Sequence, residues 1–132
     1  MNLDQQVCSL DLAKRLEKLG VKQDSLFGWY KDNVEDSEQW AVVQIAYGGT
    51  AVCSAFTVAE LGKRLPHAVM NAGNFHLLSC GKTDANRFDI IYQDYLEFPK
   101  KLHTLHFLEE TTEADARAKM LIYLIENKLI AA

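Results

Sequence analysis

Cysteine is scarce in this sequence, and its placement excludes two kinds of site. The three cysteines, Cys8, Cys53 and Cys80, are odd in number, widely spaced and never arranged as a CxxC pair. A disulfide framework needs paired cysteines, and a thiolate zinc site needs clustered ones. The sequence therefore predicts a protein of a reducing compartment. Because Cys53 and Cys80 lie in apolar, strand-like runs, we expect both to be buried, inert thiols.

Positive charge is not in excess either. Lys and Arg number 14 against 18 Asp and Glu, which gives a formal net charge of -4. A domain built to hold nucleic acid usually carries a basic surplus on one face. The charge balance therefore disfavours general binding to a phosphate backbone.

Long apolar runs are missing as well. No window approaches the roughly 18 to 20 apolar residues that a membrane span requires. The opening residues MNLDQQ lack the basic stretch and apolar core of an export signal. We therefore expect a cytoplasmic protein with no membrane partner.

Recognisable catalytic and cofactor motifs are also absent. The sequence contains no HExxH, G-x-S-x-G, G-x-G-x-x-G or G-x-x-x-x-G-K-[ST] pattern, and its acidic runs fail the spacing of a calcium loop. His103 and His106 are three residues apart, a spacing that places side chains on opposite faces of a regular strand. The sequence predicts no cofactor and no metal site, and it favours a non-enzymatic protein.

The length and composition are those of one ordinary globular domain. The chain has 132 residues, of which 48% are apolar and 24% charged. At this length, folding hides roughly two-thirds of the unfolded surface, which is enough for one hydrophobic core. With no repeat or linker to divide it, residues 1–132 are predicted to form a single domain.

The first half of the chain predicts a helix and then a hairpin. Ser9 can cap a helix that ends at Gly20, which has the position of a left-handed C-terminal cap. The segment 27–38 contains a glycine and an acidic run, and it is interpreted as turn and loop. The β-rich residues 40–47 and 50–56, on either side of Gly48-Gly49, are predicted to pair as a hairpin.

The second half adds a short helix, a second hairpin, a strand and a long helix. Thr57 and Glu60 form a capping box for a helix that ends near Leu65. Residues 76–80 and 87–92 are predicted to form a hairpin, and 102–109 a strand with both faces partly covered. Thr112 caps the last helix. Its predicted buried stripe consists of Ala114, Ala118, Leu121, Ile122, Ile125 and Leu129.

These elements lack the regular βαβ alternation of a parallel doubly wound sheet. The predicted fold class is α+β. We expect an antiparallel sheet built from hairpins, with the N-terminal and C-terminal helices packed on it and a short middle helix.

Three segments of the chain resemble a widespread group of small uncharacterised proteins encoded by bacteriophages and prophages. The segments are CSLDLAKRLEKLGVKQDSLFGW, AFTVAELGKRLP and TEADARAKMLIYLIENKL. The resemblance implies an origin in a mobile element and a bacterial cytoplasm. It carries no activity, cofactor or catalytic residue onto this sequence.

The leading hypothesis is a non-enzymatic module that binds a protein partner of a host or phage complex. Phe27, Trp29 and Tyr30 are its candidate partner-binding residues, because exposed aromatic side chains supply much of the energy at protein interfaces. The competing interpretation is that these aromatics cover the core. A symmetric homodimer, formed by pairing an exposed sheet edge with its copy, also fits an antiparallel sheet.

Two further hypotheses remain open on the sequence. One is a small enzyme whose groups converge only in the fold, with His76, His103, His106 and Cys80 beside nearby carboxylates. The other is a nucleic-acid-associated protein, which requires the basic residues to merge into one surface. Those residues are Lys14, Arg15, Lys18, Lys63, Arg64, Lys100 and Lys101.

Overall fold

A computed structural model describes residues 2–31, 39–45, 51–83, 86–94 and 103–132. Four helices and seven strands lie within these ranges. In chain order they are α1 (Leu3–Gln6), α2 (Leu10–Lys18), β1 (Phe27–Lys31), β2 (Trp40–Gln44), β3 (Cys53–Ser54), α3 (Val58–Arg64), β4 (Ala68–Asn71), β5 (Asn74–Thr83), β6 (Arg87–Asp94), β7 (His103–Glu110) and α4 (Glu113–Glu126).

The predicted α+β class and its antiparallel pairing are confirmed. The described strands form two sheets, one with the order β2-β1-β3 and one with the order β4-β5-β6-β7. The predicted hairpin of residues 76–80 and 87–92 appears as β5 and β6, and the predicted strand at 102–109 appears as β7. The second sheet is thus a meander in which each strand pairs with its neighbours along the chain.

The interpretation of residues 27–31 as turn and loop is wrong, and so is the first predicted hairpin. Residues 27–31 form β1, the central strand of the first sheet, where Trp29 pairs with Val42 on one side and Cys53 on the other. β2 and β3 therefore both pair with β1 rather than with each other. The aromatic residues favour a strand. Glycine fits at position 28 of this strand because Ala51 packs so close to the backbone that a side chain there would clash with it. Gly48 and Gly49 lie outside the described residues.

The C-terminal end of α2 follows the prediction, but its N-terminal end does not. Gly20 has φ +90°, and the N–H groups of Gly20 and Val21 donate to the carbonyls of Glu17 and Leu16, which is the Schellman pattern. Ser9 occupies the N-cap position without a side-chain hydrogen bond. Its backbone N–H instead donates to Asp115 Oδ1 at 2.7 Å, a long-range contact that local spacing cannot show.

The caps of α3 and α4 are both confirmed. Both bonds of the Thr57–Glu60 capping box are present, and α3 ends at Arg64, one residue before the predicted position. Thr112 Oγ1 accepts from the backbone N–H of Asp115 at 3.2 Å. The sequence could predict both helix starts because each cap joins groups only three residues apart.

The last helix is buried more widely than one stripe. Of the predicted stripe, Ala114, Ala118, Leu121 and Ile122 are buried, and the additional buried residues are Ala116, Met120 and Leu124. α4 contacts β6 and β7 on one side and α2 and α3 elsewhere, so several of its faces are covered. It packs across the four-stranded sheet as predicted. None of the described helices is long and apolar enough to cross a membrane.

Candidate functional site

The two faces of the four-stranded sheet have different environments. Ile90 and Tyr92 on β6 are buried in the same core cluster as the inward residues of α4. Side chains alternate along a strand, so Ile91 lies on the opposite face, together with its β7 partner Phe107. The same alternation and register place Leu77, Phe75 and Met70 on that face. We call these five residues, Met70, Phe75, Leu77, Ile91 and Phe107, the open sheet face.

The open sheet face exposes several large apolar side chains. Among the large hydrophobic side chains exposed in the described residues, four of six belong to it: Met70 is 51% exposed, Phe75 49%, Phe107 48% and Leu77 36%. Met70 and Phe75 are directly paired across β4 and β5. Singly scattered apolar side chains are ordinary on a surface, whereas a contiguous patch marks a contact site.

The polar groups of this face lie both among and beside the apolar ones, since Ser79 is opposite Ile91 and Gln93 is opposite Leu77. Ser79 and Gln93 contribute uncharged groups within the sheet, and the Gln93 amide donates to Thr104 Oγ1 at 3.4 Å. Among the described residues of this face, the charged side chains lie at the end where Thr83 pairs with Arg87, and Arg87 Nε lies 2.7 Å from Glu109 Oε1. The apolar part of the face has no charged side chain among its described residues.

The predicted partner-binding residues Phe27, Trp29 and Tyr30 lie on two different faces of β1. Trp29 packs against the core, and its indole N–H donates to the Cys8 carbonyl at 3.0 Å. Phe27 lies on the same face of β1 as Trp29, and Tyr30 lies on the other. The three therefore do not form one surface cluster, although partner binding by any one of them stays a prediction.

Phe27 lines a groove with a volume of about 720 Å³. Leu3 of α1, Val58 at the start of α3, and Phe88 and Thr112 also border this groove. Its lining combines apolar side chains with amide and hydroxyl groups and with one residue of each charge, Lys82 and Glu113. This composition can accommodate an apolar group, and these two charged side chains alone do not indicate a reaction.

Cys80 lies in a smaller hollow of about 230 Å³ that also contains Asp89, Glu113 and Arg117. The prediction that Cys80 is buried is wrong, because it is exposed, whereas Cys53 is buried as expected. Local burial of the sulfur still raises the pKa of Cys80, and the nearby Arg117 only partly offsets this effect. No histidine is among the described residues that line the hollow, so they supply no imidazole to activate the thiol as a nucleophile.

The exposure difference among the thiols predicts a selective labelling pattern. Burial raises the pKa of Cys8 to about 12 and that of Cys53 to about 11. We expect N-ethylmaleimide to modify Cys80 first in the native protein, and all three cysteines in denaturant. Peptide mass spectrometry measures the sites, and Cys80→Ser serves as the control. Native labelling of Cys8 or Cys53 at the rate of Cys80 would contradict the described burial.

Neither His76 nor His106 lines the Cys80 hollow. His106 stacks on Tyr123 of α4, with 3.6 Å between ring centroids, and burial lowers the pKa of His106. His76 is buried, and its Nδ1 has no hydrogen-bond partner among the described atoms. Asp94 is equally buried. In the part of the chain that the structure describes, no cluster of three His, Cys, Asp or Glu side chains could hold a metal ion.

The premise that His103 and His106 lie on a regular strand does not hold. A register shift between Tyr92 and Gln93 makes His106 pair with Tyr92 and His103 pair with Asp94. Tyr92 and Asp94 are two residues apart and are both buried. The spacing rule for His103 and His106 assumed a regular strand, and a bulge changes the alternation that the rule depends on.

The basic residues proposed for nucleic-acid binding are partly used in contacts within the chain. Arg15 is paired with Glu126, and Arg64 with Asp24. Lys14 Nζ lies 4.7 Å from the ring centroid of Trp40, a cation–π geometry. Lys100 and Lys101 lie outside the described residues. Pairing with carboxylates reduces the net positive charge that these side chains offer to a phosphate backbone.

The open sheet face was missed by the sequence reasoning, although a signal for it existed. In β5 and β7 apolar residues occupy both alternating phases, as Leu77 and Leu78 do, and Phe107 and Leu108. Such strands have two apolar faces, and one helix covers only one of them. No family model, curated protein or solved structure gives a significant match to the chain.

Proposed function

We propose that this chain is a non-enzymatic protein-interaction module of phage or prophage origin, and that it contacts its partner through the open sheet face. The observation that carries the proposal is the concentration of exposed Met70, Phe75, Leu77 and Phe107 on one face of one sheet. The resemblance of three segments to phage and prophage proteins supports the origin, and with it a role in a host or phage complex.

The apolar area of this face is large enough to contribute substantially to the free energy of binding. With about half of each large side chain exposed, the face offers roughly 350 Å² of apolar surface, which is on the order of 9 kcal/mol at ~25 cal/mol per Å². Association itself costs about 4 to 15 kcal/mol. The face can therefore support binding of moderate affinity, but only to a partner that is itself apolar and complementary in shape.

The remaining geometry favours contact over catalysis. Cys80 shares its hollow with carboxylates and Arg117 but with no histidine, while His106 is engaged with Tyr123. A nucleophile needs a base within hydrogen-bond reach, and these groups are separated. The enzyme hypothesis thus has no assembled set of residues to support it among the described side chains.

Charge substitutions on the open sheet face test the proposal. A tagged domain serves as bait for native-host lysate and, separately, for an untagged copy of the same domain. We expect wild type to retain a stoichiometric protein and the Phe75→Lys/Phe107→Lys double variant to lose it, because a lysine at each position would be desolvated in the contact. Leu26→Lys is the matched control, since Leu26 is 65% exposed and lies outside this sheet.

Circular dichroism and thermal unfolding must first show that each variant keeps the fold. A protein retained equally by all three baits would place the contact elsewhere. Retention of no protein from either source would overturn the proposed function.

A further inference from the structure

The groove that Phe27 lines, here called the Phe27 groove, has the size and lining of a small-molecule site. Its apolar side chains come from separate elements, namely Leu3 of α1, Phe27 of β1, Val58 of α3 and Phe88 of β6. These side chains are half-buried, so each keeps a part of its surface that a bound molecule could cover. The volume of about 720 Å³ lies within the roughly 300 to 1,000 Å³ of typical ligand pockets. The groove therefore suits a small ligand with an apolar body.

Lys82 gives this groove a positive charge that no described carboxylate neutralises. The Lys and Arg side chains of β6 and α4 are all paired with carboxylates, namely Arg87 with Glu109, Arg117 with Glu113 and Lys119 with Glu110. Lys82 of β5 has no such pair among the described residues, and its Nζ lies 5.9 Å from the ring centroid of Phe88. That distance is at the outer limit of a cation–π contact. The ammonium group therefore keeps its hydrogen-bond donors for another acceptor.

The other polar groups of the groove also favour an acceptor. Glu113 is the acidic residue of the lining, and its Oε1 accepts from Arg117 Nε at 3.2 Å and Nη2 at 2.8 Å, so its charge is compensated. The hydroxyls of Thr57 and Thr112 line the groove as well, and each accepts a backbone N–H as a helix cap. A hydroxyl that accepts a hydrogen bond can still donate its own proton. A carboxylate, which only accepts, matches these groups, whereas a cationic ligand would be repelled by Lys82.

We propose that the Phe27 groove binds a small amphipathic carboxylate, with its apolar chain or ring against Phe27 and Phe88 and its carboxylate at Lys82. Removal of the apolar body from water supplies most of the affinity. Lys82 is exposed, so its ion pair adds a modest amount and makes the groove selective for an anion. This site is separate from the open sheet face, because Lys82 and Phe88 pair with each other on the side of the sheet that α4 covers.

Octanoate and octanol are the probes that test the proposal, because they have the same chain length and differ in the charge of the end group. An amide NMR titration of the full-length chain locates each bound probe and measures its dissociation constant. We expect octanoate to shift the signals of Phe27, Val58 and Phe88. In Lys82→Met the dissociation constant of octanoate should rise about threefold to fivefold, while that of octanol stays unchanged. Methionine keeps an apolar stem like that of lysine and removes the charge.

Lys63→Met is the matched control, because Lys63 is an exposed lysine of α3 that does not line the groove. Octanoate should bind this variant as tightly as it binds wild type. Ala59→Trp places a large side chain at an exposed position of the lining, so it should weaken the binding of both probes. The amide spectrum of each variant must first show the dispersion of the wild-type fold.

The proposal is wrong if octanoate shifts no groove signals up to millimolar concentration, or shifts only those of the open sheet face. Equal affinity of octanoate for wild type and Lys82→Met would also overturn it, because the carboxylate would then not be held by Lys82. An unchanged affinity in Ala59→Trp would place the bound octanoate outside the groove and would overturn it as well.

Discussion

Replacing Gly28 with alanine is expected to lower the free energy of unfolding by about 3 kcal/mol, near the upper end for overpacking of a well-packed site. A Cβ atom at this position would lie 2.3 Å from Ala51 Cβ and 3.2 Å from two carbons of Ile45. Ala51 Cβ is attached directly to the backbone, so no rotation about a side-chain bond moves it away. The backbone of β1 would therefore have to move away from Ala51.

Gly62→Ala is the matched control for this prediction. A Cβ there would also meet an atom at 2.3 Å, but that atom is a terminal guanidinium nitrogen of Arg117, which can move. Alanine is favoured over glycine by about 1 kcal/mol inside a helix, and Gly62 lies in α3. We therefore expect a small gain or no change in stability.

Chemical denaturation of both variants provides the measurement. If Gly28→Ala cost no more than Gly62→Ala, the close approach of Ala51 to β1 would be wrong. A large loss in both variants would instead indicate that the Arg117 guanidinium is held too firmly to move.

Replacing Glu60 with alanine is expected to lower the free energy of unfolding by about 2 kcal/mol, a value for loss of a capping group together with hydrogen bonds to a charge. The Glu60 carboxylate accepts from the Ser25 hydroxyl at 2.7 Å and from the backbone N–H groups of Thr57 at 2.9 Å and Leu26 at 3.0 Å. It thus joins the start of α3 to the segment that enters β1. The carboxylate is partly exposed, so water replaces some of the lost bonds.

The same carboxylate makes stability depend on pH. Burial alone would raise the pKa of Glu60, but the hydrogen bonds from Leu26, Thr57 and Ser25 outweigh it and hold the pKa below its ordinary value. Because the folded-state pKa is lowered, the contribution of Glu60 is fully present above the unfolded-state pKa. It is lost as the pH falls from about 4.5 through the folded-state pKa.

Glu60→Gln removes the charge of this side chain and keeps its shape. Glutamine keeps one acceptor oxygen and does not titrate, so its stability difference from wild type should shrink as the pH is lowered. Urea unfolding at several pH values between neutrality and the acid limit measures this difference. If the stability difference between wild type and Glu60→Gln stayed constant across this pH range, the ionised form of Glu60 would not stabilise the fold.

The sequence alone determined the local features of this protein. The left-handed cap at Gly20, the Thr57–Glu60 capping box and the Thr112 cap were predicted correctly because each joins groups only a few residues apart. The β5–β6 hairpin was predictable for a similar reason, since only residues 84–86 separate its two strands in the sequence. The α+β class followed from the order of these local elements.

Only the tertiary structure decided which segments pair and which faces are covered. The central position of β1 depends on pairing with residues up to 26 positions away, and the amide of Ser9 meets Asp115 across 106 positions. The apolar residues of β5 and β7 are compatible with a helix on either face. α4 covers one face and leaves Met70, Phe75, Leu77 and Phe107 exposed on the other. Such choices depend on contact energies between distant segments, which local propensity and spacing do not contain.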